Sequence, residues 1–235
     1  MSRVFALSDL HLGFAVNKPM DVFGSIWANH SAKIERLWRK TVAPEDIVLV
    51  PGDISWGINY REAEPDLKFL DSLPGTKYIC RGNHDYWWKS LKQTDEFTGD
   101  SIVPLQRTAV NCGEFVLAAS RGWSTPLWEG YSITQDAKIY TRELGRMQLT
   151  LSKAKEVRQN LQKLVYMMHY PPVVDGKPSE FAELLAEAGV SLCIYGHLHG
   201  SWSDRVDMSY RGVEFLLTSA DYLNFDPLNI TDRIC

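Results

Sequence analysis

Histidines that follow short apolar runs are the residues of this chain best suited to chemistry. Five of the six histidines occupy such positions, and carboxylate and amide side chains accompany them. The polar residues that follow the runs are Asp9, His11, Asp53, Asn83, His84, Asp85, His169, His197 and His199. Imidazole nitrogen together with carboxylate and amide oxygen is a ligand set for Mn, Fe or Zn, and the clusters offer no thiolate for a Cys-type structural zinc site. The pattern therefore predicts a metal centre with nitrogen and oxygen ligands.

The apolar runs that precede these side chains predict the strands that position them. The runs cover residues 4–7, 47–50, 78–80, 164–168 and 192–195. Their content of Val, Ile and aromatic residues is typical of strands buried on both faces. Helical patterns lie between them, at about 31–41, 65–73, 137–164 and 181–188. Alternating strands and helices predict an α/β fold, in which ligands gather at the carboxyl ends of strands, so segments far apart in sequence are expected to meet at one site.

Antiparallel strands are predicted in two further places. Residues 114–120 form an apolar stretch, and the runs 206–210 and 213–217 flank Arg211-Gly212 in the pattern of a hairpin. We therefore expect a mixed sheet or two stacked sheets. The 235 residues are 45% hydrophobic and 23% charged, which is ordinary for a globular chain and argues against disorder. We expect residues 1–235 to form a single domain.

The polar blocks, taken in order, resemble the calcineurin-like metallophosphoesterase superfamily. The blocks are Asp9-x-His11, Gly52-Asp53, Gly82-Asn83-His84-Asp85, His169 and Gly196-His197-x-His199. A two-residue block is weak evidence for a family when it stands alone. The longer motifs Gly-Asn-His-Asp and Gly-His-x-His, each after a predicted strand, are specific to this superfamily. The chain looks most similar to small bacterial predicted phosphohydrolases. This resemblance implies a four-layer α-β-β-α sandwich of two mixed sheets flanked by helices.

The resemblance also implies a role for each residue of the blocks. The implied ligands are Asp9, His11 and His199 for a first cation, Asn83, His169 and His197 for a second, and Asp53 as the bridge between them. His84 would stay off the metals and face the phosphoryl group, and Asp85 would accept a hydrogen bond from His84 and raise its basicity. We expect two divalent cations, with Mn favoured and Fe, Zn, Ni and Co compatible with the same ligands.

The activity implied by the resemblance is hydrolysis of a phosphodiester or phosphomonoester by a hydroxide that bridges the two cations. Serine/threonine protein phosphatases of the superfamily carry an arginine after the bridging aspartate, and here Ile54-Ser55-Trp56 follows Asp53 instead. Trp56 also stands where purple acid phosphatases have an iron-binding tyrosine. Because the protein-phosphatase arginine is absent and aromatic residues are plentiful near the blocks, a diester is slightly favoured over a monoester. The alternative is a catalytically silent metal-binding scaffold of the same fold, against which the presence of His84 argues.

Aromatic and basic residues near the blocks are candidates for substrate contacts. Trp56, Trp87 and Trp123 would stack against a flat group, as would Trp88, Trp128 and Trp202, and Arg81 or Arg121 would clamp phosphate. The alternative is that each tryptophan packs beneath a loop and each arginine is a solvated charge. Residues 14–30 form a long aromatic loop, for which we predict a lid over the site.

Charge and hydropathy limit the partners. The net charge of -4 and the pI of about 5.9 predict no general attraction to nucleic acid or anionic membranes. We expect a small phosphorylated substrate, such as a nucleotide or short oligonucleotide, with no stable nucleic-acid complex; the oligomeric state is open.

No apolar stretch approaches the roughly 18 residues of a membrane span, and the opening residues show no secretory signal, so a cytoplasmic location is expected. The four cysteines, Cys80, Cys112, Cys193 and Cys235, are expected as reduced thiols.

Overall fold

Two mixed β-sheets lie at the centre of the computed structural model, which describes residues 2–159, 161–200 and 206–234. The strands, in chain order, are β1 (Val4–Ala6), β2 (Ile47–Val50), β3 (Thr76–Ile79), β4 (Ile102–Pro104), β5 (Thr108–Asn111), β6 (Phe115–Ser120), β7 (Lys163–Met168), β8 (Val173–Val174), β9 (Lys177–Pro178), β10 (Leu192–Tyr195), β11 (Met208–Tyr210), β12 (Val213–Leu217) and β13 (Leu228–Asn229). The helices are α1 (His30–Thr41), α2 (Tyr60–Ser72), α3 (Leu91–Asp95), α4 (Ile133–Val157), α5 (Glu180–Glu187) and α6 (Thr231–Ile234).

The order of strands explains why polar residues from distant segments meet. The first sheet runs β13-β1-β2-β3-β4, with β1 to β4 parallel, and the second runs β11-β12-β10-β7-β6-β5, with β6, β7, β10 and β12 parallel. The outer pairs β1–β13, β5–β6 and β11–β12 are antiparallel, which confirms the mixed sheets and the hairpin at residues 208–217. A short parallel bridge between Ser8 and Ser219 joins the end of β1 to the end of β12. The two sheets therefore meet at the edge where the parallel strands end.

Alternation along the strands builds the layers. Successive strand residues face opposite sides of a sheet. Val4 and Ala6 pack into the core between the sheets together with Leu117, whereas Phe5 packs outward against α1 and α2. On the second sheet, Val116 packs outward against α4 and α5. The sequence-based prediction of a four-layer α-β-β-α sandwich is confirmed.

Two helices differ in extent from the sequence pattern. Helix α2 begins at Tyr60, five residues before Pro65, because the Asn59 side chain accepts a hydrogen bond from the amide of Glu62 and the Glu62 carboxylate accepts one from the amide of Ile58. This reciprocal cap starts the helix early and leaves Pro65 inside it. Helix α4 spans Ile133–Val157 without a break at Gly145, and β7 begins at Lys163. Within the described ranges, no helix has both the length and the apolar character needed to cross a bilayer.

Candidate metal centre

Three side chains from opposite ends of the chain form a first cluster of possible ligands. Asp9 Oδ1 lies 3.3 Å from His199 Nε2 and 3.9 Å from His11 Nε2, and the two imidazole Nε2 atoms are 3.3 Å apart. Asp9 and His11 follow β1 in the first sheet, whereas His199 follows β10 in the second. One donor atom from each of the three lies within 4.8 Å of the others. These are the residues that the resemblance implies for the first cation.

A second cluster lies beside the first. Asn83 Oδ1 is 2.7 Å from His169 Nε2 and 2.8 Å from His197 Nδ1. Asp53 Oδ2 is 3.4 Å from His169 Nε2 and 3.9 Å from His11 Nε2. Asp53 therefore reaches both clusters, which is the position that the resemblance implies for a bridging carboxylate.

Buried hydroxyl and amide groups orient the carboxylate of Asp9. Its Oδ2 atom accepts hydrogen bonds from Ser8 Oγ at 2.5 Å and Ser219 Oγ at 3.0 Å, and both of its oxygens lie within 3.2 Å of the His197 amide nitrogen. Ser8 and Ser219 are fully buried. The same bridge that joins the two sheets thus also fixes one candidate ligand.

Asp221 is a site residue that the motif analysis does not identify. His199 Nδ1 lies 2.9 Å from Asp221 Oδ1, and the amide of Gly200 donates to Asp221 Oδ2. A carboxylate on the far nitrogen fixes the tautomer and orientation of a ligating imidazole. The signal is present in the sequence, because the apolar run of β12 ends four residues before Asp221, which repeats the pattern of a strand followed by polar side chains.

His169 and His11 have similar supports that no motif predicts. His169 Nδ1 is 2.9 Å from the carbonyl oxygen of Pro51. The ring of His30 contacts the backbone of His11, with Nε2 3.2 Å from the carbonyl oxygen. Trp27 is buried and packs edge-on against His11, with ring centroids 5.9 Å apart. His30 is the first residue of α1, so that helix and the loop before it form one wall of the site.

The turns after β2, β3 and β10 leave no room for larger side chains. A Cβ atom on Gly82 would overlap the Asp53 carboxylate, and one on Gly196 would overlap Asp9 Oδ2. Gly52 has a φ of 86°, and a Cβ there would lie 2.6 Å from the amide nitrogen of Gly82. The candidate ligands therefore sit against bare backbone, which glycine alone allows.

Asp85 does not accept the hydrogen bond from His84 that the resemblance implies. Its carboxylate accepts hydrogen bonds from five donors and, within the described residues, none from His84. The donors are the amides of Gly82, Asp53, Ile54 and Ser55 and the indole Nε1 of Trp87. Burial raises the pKa of Asp85 to about 6, and the charge of Asp53 adds to this effect. Buried carboxylate oxygens need hydrogen-bond donors, and for Asp85 most of these are backbone amides. Because the amides belong to the loops after β2 and β3, Asp85 links these two loops.

Trp87 is also misassigned as a substrate contact. Its side chain is buried in the core beneath the first sheet, and its indole nitrogen is used by Asp85. Trp88 is buried beside it. For these two residues the alternative of packing beneath a loop is correct, since neither ring has a surface left to offer a substrate.

Trp56 and His84 share an open wall of the site. The ring of Trp56 stacks on His11 at 4.9 Å and lies 4.3 Å from the His84 ring. His84 is half-buried, and its amide donates to Asp53 Oδ1 at 2.8 Å. Burial lowers the pKa of the His84 imidazole. The predicted positions of Trp56 and His84 beside the clusters are therefore those that the structure has.

The remaining predicted substrate contacts differ in their surroundings. The ring of Trp128 lies 6.2 Å from that of His197. Trp123 donates from its indole nitrogen to Asp136 and packs against Tyr170 at 5.2 Å, and the guanidinium of Arg121 lies 4.5 Å from its ring. Arg81 directly precedes Gly82 and lines a separate cavity. The prediction for Trp202 falls outside the residues that the structure describes.

The pKa values of the clustered histidines are shifted in opposite directions. Burial lowers the pKa of His11 to about 4 and that of His197 to about 3, with the charge of His169 also acting on His197. Burial also lowers the pKa of His169 and His199, but nearby carboxylates raise it by more. Asp53 raises the pKa of His169 to about 9, and Asp221 with Asp9 raises that of His199 to about 10. Buried carboxylates are therefore the cause of the two raised pKa values, and Asp9 contributes to both.

The donor atoms fit divalent cations. The lone pairs of two imidazole nitrogens 3.3 Å apart, as in His11 and His199, repel one another unless a proton or a cation lies between them. Buried carboxylates likewise need positive partners. The mixed nitrogen and oxygen donors match Mn, Fe or Zn and contain no sulfur. The buried aspartate and histidine clusters are therefore suited to metal binding.

Most of the chain matches a known protein family. The family model described as calcineurin-like phosphoesterase matches residues 2–201. The chain belongs to the calcineurin-like phosphoesterase family. The matched range contains every candidate ligand from Asp9 to His199, and the family is one of phosphoesterase hydrolases.

Solved structures share the fold of this family member across nearly the whole chain. Phosphopantetheinyl hydrolase from Mycobacterium tuberculosis superimposes with a TM-score of 0.59 at 16% identity, over 97% of this chain and 95% of that one. Protein AQ665 from Aquifex aeolicus, of unknown function, has a TM-score of 0.54 at 17% identity, over 99% and 97%. At these identities the similarity shows the calcineurin-like fold alone.

Curated relatives match a shorter stretch. Gene 66 protein of Mycobacterium phage D29 is 38% identical over 86 residues, and that of Mycobacterium phage L5 is 31% identical over 85 residues. Each match spans 36% of this chain and 41% of the phage protein, which is less than half of those relatives.

Proposed function

We propose that this calcineurin-like protein hydrolyses phosphoester bonds with two divalent cations. The observation that carries the proposal is the convergence of two histidine–carboxylate clusters, Asp9 with His11 and His199 and Asp9 with Asp53 and His169. Asp53 Oδ2 lies within 3.9 Å of both His11 and His169, and His84 lies beside them. Bound there, the cations would supply an activated water nucleophile and neutralise charge on the phosphoryl oxygens. The proposed ligands are Asp9, His11 and His199 for one cation, Asn83, His169 and His197 for the other, and Asp53 for both.

His84 is the proposed catalytic residue. The imidazole ring of His84 lies 5.6 Å from that of His11, and within the described residues the ring nitrogens have no hydrogen-bond partner, so the ring can face a substrate oxygen. A positioned imidazole there would stabilise charge on the phosphoryl group or donate a proton to the leaving oxygen. The hydrogen bond from the His84 amide to Asp53 keeps the residue next to the proposed bridging carboxylate.

A small apolar cavity beside the clusters supports a substrate with a flat or apolar leaving group. The cavity has a volume of about 250 Å³, and its lining includes Trp27, Trp56, Met20 and Phe23 beside His84. Aromatic rings bind flat groups by stacking, and every nucleobase has such a face. We therefore favour a phosphodiester over a phosphomonoester, and a nucleotide or short oligonucleotide as the substrate class. Mn is the favoured cation, and Fe, Zn, Ni and Co suit the same donors.

The function is tested with chromogenic esters and one charge-removing variant. Bis-p-nitrophenyl phosphate and p-nitrophenyl phosphate are offered to metal-free protein, to protein with Mn restored, and to Asp53→Asn. We expect Mn-dependent turnover that favours the diester, and a loss of at least about 100-fold in Asp53→Asn because the carboxylate proposed to be shared is gone. Asp100→Asn is the matched control, since Asp100 is exposed in the loop between α3 and β4.

The alternative of a silent scaffold makes a different prediction. A scaffold would bind Mn but turn over neither ester with Mn, Fe, Zn, Ni or Co. Equal activity of Asp53→Asn and the wild type would contradict the proposed bridging role. Metal content measured by mass spectrometry on each variant separates loss of binding from loss of chemistry.

A further inference from the structure

A second cavity, separate from the proposed metal centre, concentrates positive charge. Its volume is about 290 Å³, and it lies between α4, the turn that connects β4 to β5, and the ends of β3 and β6. Its charged lining residues are Arg81, Arg107, Arg121, Arg142, Arg146 and Glu143. Five arginines and one glutamate therefore line the same cavity in a protein whose net charge is -4.

The one carboxylate is already engaged and cannot neutralise the cluster. Glu143 is buried; it pairs with Arg146 at 2.5 Å and with Arg142 at 3.6 Å. For Arg81, Arg107 and Arg121 no carboxylate lines the cavity besides this one. Like charges held together in this way repel one another unless an anion joins them.

Two of the inner arginines show the cost of this arrangement. Arg81 Nε is buried and lacks a hydrogen-bond partner within the described part of the chain. Burial lowers the pKa of the Arg121 guanidinium; Glu143 and Tyr170 act against this effect, and the smaller effects of Arg81 and Arg142 add to it. A buried donor without an acceptor is unfavourable, so the cavity is suited to a ligand that brings oxygen acceptors and negative charge.

The cavity adjoins the proposed metal centre through the backbone. Arg81 directly precedes Gly82 and Asn83, and the carbonyl oxygen of Arg121 accepts the amide hydrogen of His169 at 3.1 Å. Arg81 thus follows β3, whose end carries Asn83, and Arg121 follows β6, which pairs with the strand that precedes His169. An anion in the cavity would lie next to the substrate site without using its ligands.

We propose that this arginine cavity is a binding site for a phosphate-type oxyanion. Guanidinium groups form paired hydrogen bonds with phosphate oxygens, and several of them together match the charge of a phosphate or pyrophosphate better than that of a carboxylate. The anion is either a second phosphate of the substrate or free phosphate. The binding experiment below does not depend on the proposed function, whereas the kinetic experiment rests on it.

Binding is measured by calorimetry on the full chain in EDTA, so that the anion cannot bind through a divalent cation. The probes are inorganic phosphate and pyrophosphate, with acetate at equal ionic strength for comparison. The test variant is Arg107→Gln/Arg142→Gln, because both side chains are exposed and Arg146, the closer partner of buried Glu143, stays in place. The matched control is Lys138→Gln/Lys155→Gln, which removes two exposed charges from α4 outside the cavity.

We expect the wild type to bind pyrophosphate more tightly than phosphate, and acetate weakest of the three. The Kd for pyrophosphate should rise at least about tenfold in the arginine variant and by less than about twofold in the lysine control. Absence of pyrophosphate binding by the wild type at millimolar concentration would overturn the proposal. An equal loss in both variants would also overturn it, since the effect would then come from the general field of the protein.

A kinetic arm assigns the source of the phosphate. Thymidine dinucleotides with and without a 5′-terminal phosphate are hydrolysed in Mn by the wild type and both variants. A lower KM for the 5′-phosphorylated dinucleotide, lost in the arginine variant and kept in the lysine control, supports a second phosphate of the substrate. Equal KM values in the wild type, with pyrophosphate binding intact, support free phosphate. Failure to hydrolyse either dinucleotide would count against the proposed function and leave the binding result standing.

Discussion

The neighbouring residues His84 and Asp85 have different surroundings although one motif contains both. The carboxylate of Asp85 is surrounded by backbone amides, whereas the His84 ring lies against Trp56 and His11 at the open side of the site. Removing Asp85 would leave several buried amides without acceptors, so its effect would be on the fold. The proposed chemical role belongs to His84 alone.

The His84→Asn variant separates chemistry from metal binding. We expect kcat to fall by about 10²–10⁴, the usual contribution of a positioned acid or base, while the bound metal per chain stays unchanged. Steady-state kinetics and metal analysis measure the two effects. Tyr86→Phe is the control, because Tyr86 is exposed and its ring is 6.4 Å from that of His84. A loss of metal in His84→Asn would mean that this imidazole is a ligand.

At the level of elements, the turns after the parallel strands determine where the ligands lie. Asp9, His11, Asp53 and His197 all have positive φ, between 44° and 75°. Such a backbone is unfavourable for residues with a side chain, and its concentration at one place is typical of functional sites. The glycines beside these residues allow the turns to pack against one another.

Gly82→Ala tests this packing. The added methyl group would overlap the backbone and carboxylate of Asp53, so we expect a loss of at least about 2 kcal/mol in the free energy of unfolding and at least about tenfold weaker Mn binding. Urea denaturation and metal titration measure both. Gly145→Ala is the control: nothing lies within 4 Å of its added methyl group and it is inside α4, so it should stabilise the protein by about 0.5–1 kcal/mol. Unchanged Mn affinity in Gly82→Ala would contradict the account of the turn.

Strand β3 carries a buried lysine whose titration should be visible in the stability. Lys77 Nζ donates to the carbonyl oxygen of Leu73 and to Ser101 Oγ, both at 2.6 Å, and burial lowers its pKa to about 8. The unfolded chain keeps this proton up to about pH 10.4. Between about pH 8 and 10 the unfolded state therefore binds more protons, and the contribution of Lys77 to stability rises with pH.

The Lys77→Gln variant isolates that contribution. The free energy of unfolding of the wild type, minus that of the variant, should rise by at most about 1.4 kcal/mol per pH unit from pH 8 to 10 and be flat below pH 7. Urea denaturation at each pH provides the values, and the difference cancels the other titrating groups. Lys92→Gln, at an exposed position of α3, should show no such slope. A difference that falls with pH would contradict the lowered pKa.

At the scale of the whole molecule, the proposed ligands come from both sheets. Asp9, His11, Asp53 and Asn83 follow strands of the first sheet, whereas His169, His197 and His199 follow strands of the second. A cation held by both groups would therefore link the two halves of the sandwich. Because the unfolded chain cannot assemble such a site, metal binding should stabilise the entire fold.

Metal removal tests this coupling. At a free Mn concentration of about 100 times Kd, the free energy of unfolding should rise by about 2.7 kcal/mol, and EDTA should reverse the change. Denaturant titrations with and without Mn measure it. The Asp53→Asn variant should show a much smaller increase, and Asp100→Asn the full one. An unfolding free energy that does not respond to Mn would contradict a metal site shared by the two sheets.

Short sequence patterns in this chain of 235 residues predict a large part of the candidate site. The strands β1, β2, β3, β7 and β10 and the polar blocks after them follow from runs of a few residues, and the resemblance carried by those blocks implies the four-layer fold. They are predictable because burial on both faces requires an apolar run, and because parallel strands present their ends at one edge.

Only the tertiary structure decides the partners of those side chains. Asp221 orients His199 and Ser219 orients Asp9, but Ser8 and Ser219 are brought together from opposite ends of the chain. Asp85 turns to the backbone instead of His84, and Trp87 enters the core, because hydrogen-bond donors and space lie there once the turns are packed. The arginine cavity likewise collects side chains from the turns after β3, β4 and β6 and from α4. Spacing along the chain predicts which residues reach the edge of a sheet, whereas which of them then touch depends on how both sheets and their helices pack against one another.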